Sequence, residues 1–454
     1  MNARSPLHPR HPFPRDFVWG VATSSFQIEG AATAGGKGAS IWDDFCRRPG
    51  AIADGSDGRV ACDHYHRLDA DLDLVAGLGV DAYRFSVSWP RVQPDGQGAF
   101  NTRGLAFYDR LVDGLLARGL QPYLTLNHWD LPSALQARGG WAARETVQRF
   151  VDFACTMGRQ LGDRVAAITT HNEPWVIAVL GHERGVFAPG LKCRATAMQV
   201  AHHLLLSHGL ALQALRAQGC RSRLGIVLNL SPVAPATSSD ADGAAARLED
   251  GRSVRWYMDP LFRGEYPLDV WQHLGRDVPV VATGDLETIR VPMDFLGLNY
   301  YTRTMVSARG AWDPRDSGKP LTDMGWEVHP EGLTELLTRL HRDWPLPPLY
   351  VKENGAAFAD HLVDGRVHDV ERTDYIARHI AAVGDALAAG VPLAGYMVWS
   401  LLDNFEWASG YAKRFGIVHV DYATLERTPK DSALWYRDFL LAQRAHRQAV
   451  APAA

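Results

Sequence analysis

Two glutamates stand in short polar motifs, Glu173 in N-E-P and Glu353 in E-N-G. A pair of carboxyl groups can cleave an acetal, because one protonates the leaving oxygen while the other meets the developing cationic carbon. Arg84 and Tyr301 are candidates to reach Glu353, and both would favour the ionised form that a nucleophile requires. Glu173 is close to Trp175 in a more apolar setting, which raises a carboxyl pKa and keeps the proton that a general acid needs. Either tripeptide alone is weak, since a helix cap or a turn also explains it.

The two motifs can act together only if the fold brings them to one place. Short β-rich runs alternate with longer helical patterns along the chain, and no repeat of solenoid period occurs. This alternation predicts a parallel sheet, and eight units predict that the sheet closes. We therefore predict the α/β class and a single (β/α)8 TIM barrel. The candidate strands are Phe17–Ser25, Ala82–Trp89, Gln121–His128, Val165–Asn172, Arg223–Leu230, Asp294–Tyr301, Pro348–Asn354 and Leu393–Leu401. The candidate helices are Arg67–Leu78, Thr102–Arg118, Ala143–Leu161, Ala195–Gln218, Gly332–Arg342, Thr373–Ala389 and Asp431–His446.

The chain is longer than a minimal barrel requires. It has 454 residues, whereas eight βα units need only about 250. We expect the surplus in long loops at the C-terminal face, where Ala234–Gly251 and Ala308–Asp323 would be surface loops that select the leaving group. Residues 13–447 are predicted to form one catalytic domain, preceded by a flexible lead-in (1–12) and followed by a flexible tail (448–454).

Polar or aromatic residues follow nearly every predicted strand at the end where a barrel carries its active site. Turn and cap chemistry explains one or two such residues but not eight sets. Amides and carboxylates can bind vicinal hydroxyls in fixed directions, and some of the 14 Trp can offer a flat face to a sugar ring. These residues are Gln27 and Glu29, Arg84 and Trp89, Asn127 to Trp129, Asn172 to Trp175, Asn229, Asn299 to Tyr301, Glu353 and Asn354, and Trp399 to Trp407.

Bulk properties exclude several other classes. A net charge of −4 does not favour nucleic acid or an anionic membrane as partner. The five Cys are scattered without C-x-x-C spacing, so neither a disulfide framework nor a zinc site is predicted. The pairs His64/His66 and His202/His203 are interpreted as structural, and no metal or cofactor is predicted. We find no apolar h-region near the N-terminus and no membrane-spanning run, and we expect a cytoplasmic enzyme.

The chain resembles glycoside hydrolase family 1, the β-glucosidase family, over nearly its whole length. The resemblance implies a TIM barrel, retention of configuration and independence from metals and cofactors. It rests on F-V-W-G-V-A-T-S-S-F-Q-I-E-G-A at 17–31, T-H-N-E-P at 170–174, G-L-N-Y-Y at 297–301, Y-V-K-E-N-G at 350–355, W-S-L-L-D-N-F-E-W at 399–407 and K-R-F-G-I-V-H-V-D-Y at 413–422.

Residue roles follow from this resemblance motif by motif. Glu173 would be the acid/base and Glu353 the nucleophile. The residues expected to hydrogen-bond the glycone are Gln27, His128, Asn172, Glu406 and Trp407, with Tyr301 also in contact. The residues around them would be Trp399 beneath the ring, Trp129 and Phe415 as walls, Arg84, Tyr301 and Asn299 as supports of the glutamates, and Trp175 and Trp326 on the aglycone side.

Two residues depart from the family pattern. Lys352 stands where Thr or Ser is usual, and His171 replaces an apolar residue. We expect strand alternation to turn both side chains away from the neighbouring glutamates. Thioglucosidases are set aside because Glu173 is not Gln. Phosphoglycosidases are set aside because Glu406 would repel a phosphate.

The preferred hypothesis is hydrolysis of terminal non-reducing β-D-glucosyl residues by double displacement, within carbohydrate and cellulose degradation. The substrate would be a small oligosaccharide or an aryl or alkyl β-glucoside, with β-galactosides and β-fucosides as lesser substrates. Three alternatives remain open: a transglycosidase of the same fold, an inverting hydrolase and a non-catalytic sugar-binding barrel. A homo-oligomer is compatible with the sequence, which does not define the natural aglycone.

Overall fold

The computed structural model describes residues 11–449, with side chains as far as residue 445. The predicted lead-in at 1–12 and tail at 448–454 therefore lie mostly outside the described residues. The last helix ends at Ala449, and the domain boundaries stay predictions. Between residues 11 and 449, no helix combines the length and apolarity that crossing a bilayer requires.

Eight parallel strands close into one barrel, in which each strand pairs with its neighbours along the chain and the last pairs with the first. The predicted α/β class and (β/α)8 barrel are confirmed. The strands are rich in Val, Ile, Leu and aromatic residues, because both faces of a parallel sheet are covered. They are β1 (Val18–Ala22), β2 (Ala82–Ser86), β3 (Gln121–Asn127), β4 (Ala167–Asn172), β5 (Arg223–Asn229), β6 (Phe295–Asn299), β7 (Leu349–Asn354) and β8 (Leu393–Trp399).

Helices cover the outside of the barrel and bury apolar stripes against it. In Arg144–Leu161, the buried residues Val147, Phe150, Ala154 and Leu161 recur at helical spacing. A smaller apolar cluster fills the barrel itself and includes Trp399, at the C-terminal end of β8. The main helices are α1 (Leu68–Gly77), α2 (Thr102–Ala117), α3 (Arg144–Leu161), α4 (Arg194–Ala217), α5 (Asp240–Asp250), α6 (Glu331–Asp343), α7 (Val370–Ala388) and α8 (Asp431–Ala449).

The segment Ala234–Gly251 is not the surface loop that its small polar residues indicate. Most of it forms helix α5, whose N-terminus is capped by Ser239, since the Oγ atom accepts from the Asp242 N–H at 3.2 Å. Asp242 in turn accepts from the Ala308 N–H at 2.8 Å. The sequence prediction gave too little weight to the helix propensity of Ala, Leu, Glu and Arg in this segment. The other predicted loop, Ala308–Asp323, contains the short helical turn Pro314–Ser317 and two isolated bridge residues.

Strand β4 contains a register shift just before Glu173. Thr169–Asn172 advances three residues while its partner segment Gly225–Val227 advances two. One extra residue reverses the alternation of side chains, so Asn172 turns toward the barrel axis. His171 turns outward and stacks on Phe150 of α3 with ring centroids 4.3 Å apart. His171 thus faces away from the glutamate as expected, but the bulge is the reason, since regular alternation would place residues 171 and 173 on one face.

Strand β7 contains a similar shift beside Glu353. Val351–Glu353 advances two residues while Leu298–Asn299 advances one. Lys352 faces the barrel interior on the same side as Tyr350, with its Nζ atom 3.9 Å from the centroid of the Tyr123 ring, and the shift turns Glu353 to that side as well. The prediction that alternation turns Lys352 to the other side from Glu353 is wrong, because regular alternation does not continue through a bulge.

Candidate active site

A pocket opens at the C-terminal ends of the barrel strands, and both glutamates line it. The predicted site residues that line the pocket are His128, Trp129, Glu173, Trp175, Asn299, Tyr301, Trp326, Glu353, Trp399, Glu406, Trp407 and Phe415. The other predicted members, Arg84, Asn172 and Gln27, lie behind this lining and contact it through hydrogen bonds. The carboxyl groups of Glu173 and Glu353 therefore face one common space.

Glu353 is held as a carboxylate by two donors. Arg84 donates from Nη1 to Oε1 at 2.5 Å, and the Tyr301 hydroxyl donates to Oε2 at 2.6 Å. The side chains of Arg84 and Glu353 are only 1% and 3% exposed, so water does not screen this ion pair. Both donors bind the ionised form more strongly than the neutral acid.

Glu173 lies in an environment that favours its proton. Burial raises the pKa of Glu173 to about 8, and the negative charge of Glu353 acts in the same direction. Asn299 donates from Nδ2 to Oε1 at 2.6 Å, which opposes the rise in pKa without cancelling it. At neutral pH Glu173 is thus a protonated acid that faces an ionised carboxylate.

Asn172 connects the two glutamates from behind. Its Oδ1 atom accepts from Arg84 Nη2 at 2.7 Å and from Asn299 Nδ2 at 3.0 Å. An unbroken series of hydrogen bonds therefore runs from Glu353 through Arg84, Asn172 and Asn299 to Glu173. Such a network fixes both carboxyl groups relative to each other.

A third carboxyl group, Glu406, lies in the same pocket. Burial raises the pKa of Glu406 to about 8, and the charge of Glu353 adds to the rise. Gln27 donates from Nε2 to Glu406 Oε2 at 3.3 Å. The same Nε2 atom approaches Asn404 Oδ1 at 2.9 Å and the Phe405 carbonyl at 3.0 Å, while Oε1 accepts from Ser24 Oγ at 2.6 Å. Gln27 is therefore fully engaged by protein groups.

Aromatic rings form the walls of the pocket. His128 lies parallel to Trp399, with centroids 5.7 Å apart and an interplanar angle of 18°. Burial lowers the pKa of His128 well below its ordinary value, so a neutral imidazole lines the pocket. On the opposite wall, Trp326 packs against both Tyr301 and Phe415, with centroids 5.5 and 6.2 Å apart.

Three residues that line the pocket have left-handed backbones. The φ angles are 79° at Trp129, 51° at Glu173 and 50° at Trp407. Residues other than glycine rarely adopt this region, and such strain concentrates at functional sites. The fold therefore holds these three side chains in orientations that an unstrained chain would not choose.

Sequence reasoning missed part of the outer lining. Leu180 and Phe187 come from the wide helix Val176–Glu183 and the loop after it, and Met324 comes from the loop before Trp326. Single apolar residues in connections carry no signal that separates them from ordinary packing.

Among the described residues, none of the pocket lining belongs to Ala234–Gly251 or Ala308–Asp323. The prediction that these two segments carry the aglycone contacts is therefore wrong for direct contacts.

The histidine pairs have structural partners. His64 Nδ1 hydrogen-bonds to Asp71 at 2.8 Å. His202 lies between the Tyr266 hydroxyl at 2.9 Å and Asp285 at 3.0 Å. Among the described residues, no three His, Cys, Asp or Glu side chains group closely enough to hold a metal ion.

The chain matches the family model for glycosyl hydrolase family 1 over residues 9–445. It is 49% identical to thermostable β-glucosidase B of Thermobispora bispora, over 94% of this chain and 90% of the relative. It is 43% identical to a bifunctional β-D-glucosidase/β-D-fucosidase of Bifidobacterium breve, over 94% and 98% of the two chains. The solved structure of a family 1 β-glucosidase from Thermotoga maritima superposes with a TM-score of 0.92 at 43% identity, covering 95% of this chain and 98% of that one.

These similarities extend over nearly the whole length of each protein, and the barrel and its pocket agree with them. The chain belongs to glycosyl hydrolase family 1. It is therefore a glycoside hydrolase, and the resemblance seen in the sequence motifs is confirmed.

Proposed function

We propose that the chain is a retaining β-glucosidase that releases terminal, non-reducing β-D-glucosyl residues. The observation that carries this proposal is one pocket with two carboxyl groups in opposite states. Glu353 is ion-paired with Arg84, whereas Glu173 has a pKa of about 8 because it is buried near that negative charge. Retention is the stereochemistry of family 1, which supports this mechanism over an inverting one.

In the first step, Glu353 attacks the anomeric carbon and the bond to the leaving oxygen breaks. Glu173 gives its proton to that oxygen, so a neutral alcohol leaves and a covalent glycosyl-enzyme remains. Formation of the ester removes the negative charge of Glu353. Because that charge helps to raise the pKa of Glu173, the pKa then falls and Glu173 can act as a base.

In the second step, water loses a proton to Glu173 and attacks the anomeric carbon from the side that the leaving group vacated. The bond to Glu353 breaks, glucose leaves with its original configuration, and both glutamates return to their starting states. Two inversions at one carbon give net retention.

The remaining residues divide between the two parts of the substrate. His128, Trp407 and Glu406 are assigned to the glycone hydroxyls and Trp399 to the ring face. Gln27 and Asn172 take part only if substrate displaces protein contacts that they now make. Trp175 and Trp326 are assigned to the aglycone. The name of the Bifidobacterium breve relative supports β-fucosides as secondary substrates. A cytoplasmic location and a homo-oligomer stay predictions from the sequence.

The direct test is Glu353→Ala with an aryl β-glucoside as substrate. We expect turnover to fall below detection, and added azide to restore slow formation of the α-glucosyl azide, because a small anion replaces the missing carboxylate. Glu249→Ala is a matched control, since Glu249 is a partly buried glutamate on α5 outside the pocket. Substantial activity of Glu353→Ala without azide would refute the assignment.

Transfer to a sugar acceptor is a second candidate, favoured by the aromatic aglycone side of the pocket. Trp175, Phe187 and Trp326 could bind an acceptor sugar in place of the departed leaving group. Product ratios at rising acceptor concentration distinguish the two activities. Hydrolysis predicts that free glucose remains the main product.

A further inference from the structure

His171 is a buried polar residue that the mechanism above does not use. Its imidazole lies outside the barrel wall, fully buried, stacked on Phe150 and in edge contact with Trp141 at 5.3 Å between centroids. In the family pattern an apolar residue is usual at this position, so packing alone does not require a histidine. Its hydrogen bonds indicate what the ring adds.

The partners of His171 form a chain whose donor directions are all defined. Asn127 Oδ1 accepts from the Trp129 backbone N–H at 3.3 Å, which places Asn127 Nδ2 toward His171 Nδ1 at 3.0 Å. An amide nitrogen only donates, so Nδ1 must accept and the ring proton is on Nε2. Nε2 then donates to Ser207 Oγ at 2.8 Å, and Ser207 donates to the Leu204 carbonyl at 2.9 Å.

This series of hydrogen bonds ends at Trp129, a residue of the pocket wall. Trp129 has a left-handed backbone with φ 79°, and only its hydrogen bonds and packing hold that conformation against its strain. Its indole also donates from Nε1 to the Asn172 carbonyl at 2.9 Å. The ring packs against Trp407 and His128, with centroids 4.6 and 5.0 Å apart. A shift of Trp129 would therefore disturb other residues that line the pocket.

We propose that His171 is a positioning residue for Trp129: by completing this buried chain it holds the strained Trp129 backbone and thereby sets the affinity of the pocket for its glycoside. Only the neutral ring with its proton on Nε2 fits, because a proton on Nδ1 would face the Asn127 amide hydrogens. The inference rests on the proposed function, since affinity is measured through glucoside hydrolysis.

The test compares two substitutions of the same residue. His171→Phe keeps a ring on Phe150 but leaves Asn127 and Ser207 without their partner, and we expect KM for an aryl β-glucoside to rise about tenfold. We expect kcat to change by less than about threefold, since neither glutamate touches His171. His171→Gln can accept through Oε1 and donate through Nε2, so it should restore most of the wild-type KM.

His208→Phe is the matched control. His208 is equally buried on α4 and hydrogen-bonds to Thr170 at 2.8 Å, and within the described residues it takes no part in the hydrogen bonds of Asn127 or Trp129. It should lower the melting temperature and leave KM unchanged. The proposal is overturned if His171→Phe leaves KM unchanged, if His171→Gln is no better than Phe, or if His208→Phe raises KM equally.

If His171→Phe does not fold, a variant of Ser207, at the other end of the hydrogen-bond series, provides the test. Ser207→Ala removes a single hydroxyl, and KM should rise about twofold to threefold. An unchanged KM in Ser207→Ala would then overturn the proposal. If the wild-type protein hydrolyses no β-glucoside at all, the proposed function fails first, so the wild-type assay distinguishes the two failures.

Discussion

The ends of β4 and β7 use one device to reach opposite chemical states. Each strand contains a register shift just before its glutamate, and each shift turns a polar residue toward the barrel axis. At β7, Glu353 meets a guanidinium and a phenol. At β4, Glu173 meets one amide and is otherwise desolvated, so its pKa rises to about 8. The two residues are chemically identical, and their surroundings alone assign the roles of nucleophile and acid.

Two residues near the glutamates also differ: His171, two positions before Glu173, and Lys352, one position before Glu353. His171 faces outward and has every hydrogen bond satisfied, whereas Lys352 faces inward and its Nζ atom has no hydrogen-bond partner among the described residues. The rings of Tyr123, Tyr350 and Phe295 surround that amine. His171 thus stabilises the β4 side through its hydrogen bonds, whereas Lys352 is a buried amine without such partners and lowers stability on the β7 side.

The strongest test of this comparison removes the cation from the β7 side. In Arg84→Met the buried carboxylate of Glu353 loses its counter-charge, and Asn172 loses a donor. Leaving a buried charge unpaired costs about 3–5 kcal/mol, so we expect kcat to fall by about 10³-fold. Steady-state kinetics with an aryl β-glucoside measure the loss, and Arg84→Lys should retain part of the activity. A kcat within tenfold of wild type would show that Arg84 does not sustain the nucleophile.

A smaller effect is expected on the β4 side, in the pH profile. Glu173 must be protonated in the free enzyme, so kcat/KM should fall as pH rises through its pKa of about 8. Asn299 stabilises the carboxylate, so in Asn299→Leu the pKa should rise and the alkaline limb should move to higher pH, with kcat reduced about tenfold.

Glu406→Gln provides the opposite shift as a control. Glu406 also has a pKa of about 8, so its titration could be mistaken for that of Glu173. Its charge raises the pKa of Glu173, and its removal should therefore move the alkaline limb slightly downward. If both variants shift the limb in one direction, the limb does not belong to Glu173.

The smallest effect is expected at Lys352. Burial lowers the pKa of Lys352 well below its ordinary 10.5, and the charge of Arg84 contributes. Between that lowered pKa and pH 10.5, the unfolded state binds a proton that the folded state does not, so in this range the group makes stability rise with pH. Lys352→Met should raise the melting temperature by about 2 °C at pH 7, and the gain should shrink as pH approaches 10.5. Activity should change less than twofold. A lower melting temperature at pH 7 would contradict this account.

Most of the barrel could be predicted because strand and helix periodicities are local. The start of β2 at Ala82 and the end of α3 at Leu161 agree with the predicted bounds. Helix α5 was missed because its small and acidic residues are also typical of loops. The shared inward orientation of Lys352 and Glu353 was missed because a bulge depends on pairing with neighbouring strands, which no local pattern reveals.

The candidate site divides in the same way. The chemical groups could be read from motifs, because a carboxylate at the end of a barrel strand is informative by itself. The position of Gln27 could not be predicted, since its amide is engaged not only by nearby Ser24 but also by Asn404 and Phe405, which are distant in the chain. The contribution of Leu180 and Met324 to the lining could not be predicted either, because only folding shows which apolar loop residues reach the pocket.

By itself, the sequence determined the barrel class, the family and the identity of the two glutamates, since these depend on residue types and short spacings. The sequence also predicted that Glu173 holds the proton, but only the tertiary structure showed the burial and the neighbouring charge that raise its pKa. A pKa depends on the exclusion of water and on charges a few ångströms away, and the residues that supply both to Glu173 are brought together by the closure of the barrel.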